Sequence, residues 1–186
     1  NNNTASDSIN VTLITKGSIT GTVTDLITGL PLPSATVSVT DSSNVTQNTS
    51  TGSDGRYTIN NVSSGAFSGS ITKAGYTSYN FSGTMTPGQT TTINASLSPI
   101  PPTISNIAVS NITANSATIT WTTDQSSDSL VEYGITTSYG SLTTDSTLTT
   151  NHNITLTGLA MGTTYHFKVT SKNNLNASST SGDNTF

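Results

Sequence analysis

Apolar side chains recur at every second position in short runs: Ile19, Gly21 and Val23; Val37 and Val39; Phe67, Gly69 and Ile71; and Tyr79, Phe81, Gly83 and Met85. A period of two sends successive side chains to opposite faces of a strand, so each run predicts a half-buried β-strand. Between the runs lie clusters that close turns: Asp25–Pro33, Asp41–Ser53 leading into Ser53-Asp54-Gly55, and Pro87-Gly88. Short strands at such spacing predict sandwiches. No segment carries a convincing helical pattern, and the fold class read from the chain is all-β, with two tandem β-sandwich domains.

The alternation breaks at Ser98-Pro99-Ile100-Pro101-Pro102, where three prolines remove backbone donors and favour extended chain. Residues 99–102 are therefore predicted to be a short, stiff linker that holds the domains end to end with limited bending. It separates a sandwich over 17–98 from another over 103–186. Residues 1–16 form an N-terminal extension with a spare strand over 8–15. Within it, Ser8-Ile9-Asn10-Val11-Thr12-Leu13 matches Thr92-Ile93-Asn94-Ala95-Ser96-Leu97, the end of the first domain. The first copy reads as the closing strand of a preceding domain.

Composition sharpens this picture. At 186 residues the chain can hold two domains of about 100 residues. Only 8% of residues are charged, so Ser, Thr and Asn supply the polarity, and Thr suits strands as Asn and Ser suit turns. The five basic residues Lys16, Arg56, Lys73, Lys168 and Lys172 are scattered in a chain of net charge −4, which argues against nucleic acid as a partner. Without cysteine there is no disulfide, zinc knuckle or thiol nucleophile. No run reaches the roughly 18 apolar residues of a membrane span, and no leader is visible. Ten Asn-x-Ser/Thr sequons, at Asn2, Asn10, Asn44, Asn48, Asn61, Asn80, Asn94, Asn111, Asn153 and Asn176, are candidate N-glycosylation sites, although so Ser/Thr-rich a chain supplies many by chance.

The blocks Gly17-Ser-Ile-Thr-Gly-Thr-Val-Thr-Asp25, Leu30-Pro-Leu-Pro-Ser-Ala-Thr-Val37 and Thr51-Gly-Ser-Asp-Gly-Arg-Tyr57 resemble the carboxypeptidase regulatory-like family. That resemblance implies a prealbumin-like sandwich serving as spacer or accessory module, without the metal-binding catalytic part. From Pro102 onward, Ala117-Thr-Ile-Thr-Trp121 and Leu159-Ala-Met-Gly-Thr-Thr-Tyr-His-Phe-Lys-Val169 resemble a fibronectin type III domain. The likeness implies that Trp121 is the core tryptophan and Tyr165 the tyrosine of the corner. The block Ser129-Leu-Val-Glu-Tyr-Gly134 is similar to a variant found in microbial surface proteins, which implies an extracellular, cell-surface setting. Asn184-Thr185-Phe186 reads as the beginning of that domain's last strand.

Candidate chemistry is sparse. A nucleophilic triad needs a histidine held by a carboxylate beside a hydroxyl, and the two histidines, His152 in a polar turn and His166 on an outward position, read as solvated. Asp54, Asp124 and Asp128 are turn-formers before they are calcium ligands. Asp128 and Glu132 share a strand face without a cleft. By resemblance to prealbumin-like modules of some bacterial pilins, Lys16 and Asn94 occupy the places of a cross-linking pair. Tyr76, Tyr79 and Tyr139 are the rings from which a carbohydrate platform could be built. The expectation is a non-enzyme with no catalytic, cofactor or metal site: an extracellular structural subunit of a filament or stalk. Its partners are further copies joined head to tail, or neighbouring domains of a tandem array, with glycans as candidate ligands. Ile9, Val11 and Leu13 would be the inward residues of a donated strand. The alternative is a carbohydrate- or protein-binding accessory module of an exported enzyme or adhesin.

Overall fold

The computed structural model describes residues 15–186; the strand-donor residues Ile9, Val11 and Leu13 and the sequons at Asn2 and Asn10 lie outside the described residues. The chain divides into two compact units after Ser98. The first contains β1 (Lys16–Asp25), β2 (Thr36–Thr40), β3 (Thr46–Ser50), β4 (Arg56–Ser63), β5 (Gly65–Thr72), β6 (Tyr79–Met85), β7 (Thr90–Thr92) and β8 (Ala95–Leu97). The second contains β9 (Ile104–Ser110), β10 (Ser116–Gly134), β11 (Ser141–Thr157), β12 (His166–Lys172), β13 (Ser178–Thr180) and β14 (Asn184–Thr185). The protein is all-β, as two tandem sandwiches.

In the first unit one sheet runs β3-β2-β5-β6, and the other places β1 between β4 and the closing strands β7 and β8. The period-two residues face inward: Ile19 and Val23 of β1, Val37 and Val39 of β2, Phe67 and Ile71 of β5 are all buried, together with Tyr57, Ile59 and Val62 of β4. β1 is antiparallel to β4 but parallel to β7 and β8, with Thr20 opposite Thr92 and Val23 opposite Ala95. Between β7 and β8 the ladder is interrupted, and the Asn94 side chain fills the gap by accepting the Thr22 N–H at 2.9 Å. The run over β6 is only partly inward. Met85 is buried, but Tyr79 is exposed, because β6 lies at the sheet edge with no described strand on its far side.

The outward positions of this unit are almost entirely hydroxyls and amides, and many satisfy one another across strands. Thr24 and Ser96 are 2.9 Å apart, and Thr40 and Thr46 are 2.8 Å apart. Such cross-strand pairs stabilise a sheet without charge. Asp41 secures the β2–β3 turn: one oxygen accepts the N–H groups of Ser43 and Val45, and the other reaches the Ser63 N–H at 3.0 Å. These donors, Ser63 first, hold its carboxyl down at about 2.

The second unit is organised by two unusually long strands. β10 pairs with β9 and the far half of β11 over its first half, then with the near half of β11 and with β12 over its second. Register shifts between Thr122 and Ser127, and again between Ser127 and Ser129, mark bulges where β10 bends out of one layer into the other. Ile119 and Trp121 from the first half meet Val131, Ile154, Leu156, Phe167 and Val169 in a single core. Phe186 packs against it, with its ring 5.6 Å from Tyr165 and 5.8 Å from Phe167. The backbone of Phe186 exchanges hydrogen bonds with Tyr165.

Candidate functional site

The densest polar chemistry in the described residues surrounds the bend of β10, and its centre is His152. Sequence reading placed this histidine in a solvated polar turn; the structure corrects that. His152 lies on β11, opposite Trp121 in register, and is 2% exposed. Residues 152, 154 and 156 share one face of the strand, so the alternation that buries Ile154 and Leu156 buries His152 as well. Its ring stacks on the Trp121 indole at 4.7 Å and 5°.

Both ring nitrogens are engaged. Nδ1 is 2.8 Å from Ser129 Oγ and Nε2 is 2.9 Å from Thr123 Oγ1. Thr123 uses its own proton on the Gln125 carbonyl at 2.7 Å, so Nε2–H donates to Thr123, and in the neutral ring that burial favours the Ser129 hydroxyl donates to Nδ1. Burial pushes the His152 pKa below its usual value, against the opposing pull of Asp128 and Asp145. Ser127 Oγ also donates to the Gln125 carbonyl, at 3.3 Å. The network thus satisfies a backbone acceptor in the bulged segment at the point where β10 changes layers.

Ser129 and His152 have the relative geometry of a nucleophile and its base, but the remaining requirements fail. The second ring nitrogen meets a threonine hydroxyl where a triad needs a carboxylate, and Ser129 itself is 4% exposed. Nearby, the Trp121 indole N–H donates to Ser171 at 2.9 Å, and Asn173 donates to the Ile100 carbonyl and to Gln125 Oε1, each at 2.9 Å. No buried side-chain nitrogen or oxygen among the described residues lacks a hydrogen-bond partner.

A neutral buried histidine carries a pH signature. With the folded pKa below the unfolded value of about 6.5, the unfolded state binds the proton more readily, so stability falls as pH drops below that value. The guanidinium midpoint of the second unit, followed by fluorescence of the single tryptophan, is expected to be lower at pH 5 than at pH 7.5. Replacement His152→Gln should flatten that difference while lowering the midpoint at both values.

The other candidates are dispersed. His166 faces outward as its parity predicts, with Nδ1 2.8 Å from Asp183; the Tyr139 hydroxyl donates to the same carboxylate at 3.2 Å. Glu132 pairs with Lys168 at 2.9 Å across β10 and β12, while Asp128 accepts the Lys172 N–H at 2.8 Å, so the two carboxylates each engage a different lysine. Asp54 accepts the Arg56 N–H as a turn-former, whereas Asp124, expected in a turn, lies within β10 and accepts the N–H of the distant Thr103. Among the described residues no group of three or more His, Asp, Glu or Cys could hold a metal. The rings considered for a carbohydrate platform do not converge: Tyr76 is buried, donating to Asp25 at 2.6 Å, and Tyr139 belongs to the other unit. Burial and the Asp25 carboxylate push the Tyr76 phenol up to about 12. Lys16 and Asn94 are also apart. Asn94 lies beside Thr22, six residues along β1 from Lys16 and so roughly 20 Å away, too far for a cross-link. The Tyr165 hydroxyl accepts the Ala160 N–H at 3.0 Å, the contact the corner resemblance implied. All eight described sequon asparagines are exposed.

One open concavity of about 540 Å³ lies on the outer face of the second unit, lined by residues including Asp128, Leu130, Thr144, Asp145, Thr170 and Lys172. Its lining mixes polar groups with the apolar stems of Leu130 and its neighbours, has no aromatic ring and is backed by Ser129.

Two small sandwiches in tandem, each with its interior polar groups consumed internally, define a protein of modular architecture. Residues 18–98 match the carboxypeptidase regulatory-like domain family and residues 101–183 the fibronectin type III domain family; the chain joins one domain of each. No curated protein matches it significantly. Similar solved structures include the major pilin subunit of Bacillus cereus, at 12% identity and TM-score 0.41 over 91% of this chain and 68% of that one. A segment of two fibronectin type III domains from chicken tenascin is 15% identical, with TM-score 0.36 over 87% and 86% of the two chains. A DUF3823 family protein from Parabacteroides merdae is 14% identical, with TM-score 0.38 over 92% and 98%.

Proposed function

We propose that this chain is a non-catalytic, extracellular structural element of a cell-surface filament or stalk, and that copies join head to tail through a strand donated from the N-terminus. The observation that carries the reading is the fate of the polar interior. Every buried hydroxyl, amide and imidazole described is spent on holding strands and bends together, and the Ser129–His152 pair is closed off from solvent. Catalytic groups, by contrast, sit in clefts with perturbed and accessible side chains. The surface supports the same reading, because hydroxyl and amide rows hydrate a module without creating a charged docking patch. Each lysine of the second unit is engaged by a carboxylate, and Lys73 donates to the Pro33 carbonyl.

Electron microscopy with size analysis of the full chain, beside a variant lacking residues 1–14, tests this. Filaments from the full chain and monomers from the truncation are the expected result. Monomers from both would overturn assembly by strand donation. The outer concavity favours a second reading, an accessory module that recognises a polysaccharide. Titration with soluble polysaccharide fragments, followed by amide shifts at Thr144 and Thr170, decides it: unmoved resonances retire this reading.

A further inference from the structure

Strand donation requires an acceptor, and the edges of the two sandwiches are unequally guarded. Unpaired edges invite another strand unless they are short, charged, bulged or interrupted. β9 is bulged, with register shifting opposite Thr120 and Thr122 and Asn106 at a φ of 54°. The near half of β11 carries Asp145, β4 begins at the charged Arg56 and is bulged where its register with β1 shifts between Gly17 and Ile19, β13 has three residues, and β3 has five, all polar. β6 is different. It has seven residues, no charge, no proline and an unbroken register with β5 from Gly65–Met85 to Ile71–Tyr79.

Its inner face is also unfinished. Phe67 lies opposite Gly83 and Phe81 opposite Gly69, each ring covering the glycine of the neighbouring strand so closely that a Cβ there would collide with it. Phe81 remains half-buried, and Tyr79, stacked on it at 6.4 Å, is 39% exposed. Both rings would gain cover from apolar side chains on an added strand. The outer face shows Asn80, Ser82 and Thr84, all exposed, and Asn80 and Ser82 are the last members of polar rows that run across β2 and β5.

We infer that β6 is the acceptor edge, and that its occupant is the segment Ser8–Leu13 of a second copy. The inference rests on the strand-donation reading and adds the address. The segment has the pattern this edge needs: Ile9, Val11 and Leu13 on one side to cover Tyr79 and Phe81, and Ser8, Asn10 and Thr12 on the other to extend the polar rows. It is uncharged, as is β6. The described chain enters β1 at the end of the sandwich where β6 finishes: the Gly88 N–H donates to the Lys16 carbonyl, and Gly17 lies against Met85. A donor at one place and an acceptor at another make a heterologous contact, which propagates as a filament unless its rotation closes a ring.

The chain has no cysteine, so engineered thiols report position cleanly. Full-length Asn10→Cys is combined in turn with Asn80→Cys, Ser82→Cys or Thr84→Cys on β6. Parallel chains combine it with Asn48→Cys on β3, Thr180→Cys on β13 or Thr22→Cys beside the closing strands. Facing residues on paired strands lie within disulfide reach. The expected result is intermolecular disulfide in assembled material, concentrated in one β6 combination and at least tenfold weaker at the other three positions. Assembly with the disulfide concentrated at β3, β13 or Thr22 would overturn β6 as acceptor while leaving strand donation standing. Absence of assembly in every chain, the unsubstituted one included, would overturn both.

Discussion

Replacing Trp121 with alanine is expected to cost the second unit about 3–5 kcal/mol, the range for removing a large buried aromatic. Trp121 is 1% exposed, stacks on His152 and donates its indole N–H to Ser171. Truncation therefore opens a cavity and also strips a buried hydroxyl of its donor and a buried imidazole of its stacking partner. Against a total stability of about 5–15 kcal/mol for a small domain, the change takes a large fraction of the margin. Urea denaturation followed by far-UV circular dichroism should show the transition of the second unit moving to much lower denaturant while that of the first stays in place. Ser171→Ala separates the contributions, because it keeps the ring and removes the acceptor; a loss of about 1–3 kcal/mol is expected there. Equal losses in the two variants would show that the hydrogen bond, not the packing of the ring, dominates.

The second large effect belongs to the first unit. Gly21→Val is expected to destabilise it at or above the upper end of the about 1–3 kcal/mol typical of overpacking. A Cβ at Gly21 would run into the Ile93 carbonyl and the Tyr57 ring. The Tyr57 hydroxyl already donates to that same carbonyl at 2.8 Å, so the backbone between β7 and β8 has no room to retreat without breaking a buried contact. Amide exchange should accelerate over Thr90–Leu97 before it does so in β2 or β5. Gly182→Ala, where a Cβ meets nothing within 4 Å, serves as the neutral comparison at about 0.5 kcal/mol or less. Unchanged exchange in the closing strands of Gly21→Val would mean that the close approach of Ile93 is not what fixes a glycine there.

Most of the architecture was legible in the sequence, because burial in a half-exposed sheet writes a period of two. Ile19 and Val23, Val37 and Val39, and Phe67 and Ile71 are inward as that rule requires. The rule overreached at Tyr79, since alternation gives the face of a residue but does not say whether a further strand covers it. The polar interior was harder to read. Ser127, Ser129, His152, Ser171 and Asn173 are buried, yet each is a residue type that ordinarily signals surface, and the partners that make its burial tolerable lie up to 73 residues away in sequence. A signal did exist for His152: it occupies the parity of Ile154 and Leu156, and parity should have outweighed polarity. The continuity of β10 through its bend was hidden for a related reason. Gln125, Ser126, Ser127 and Asp128 resemble a turn, and what keeps them in a strand is the network built around His152.

The topology of the first unit has a consequence for how it would respond to force. Its first strand, β1, and its last, β8, are parallel neighbours, with Val23 opposite Ala95 and Asp25 opposite Leu97. Tension applied at the Lys16 end of β1 and at the Leu97 end of β8 pulls these strands past one another lengthwise. The evenly spaced bonds of a parallel ladder are then loaded together, and cannot be opened one at a time as in a hairpin peeled from its end. In the second unit β9 and β14 pair with different strands, β10 and β12, and offer no such clasp between first and last strand. Stretched in series, the first unit should hold while the second yields, which makes the pair a stiff link joined to an extensible one.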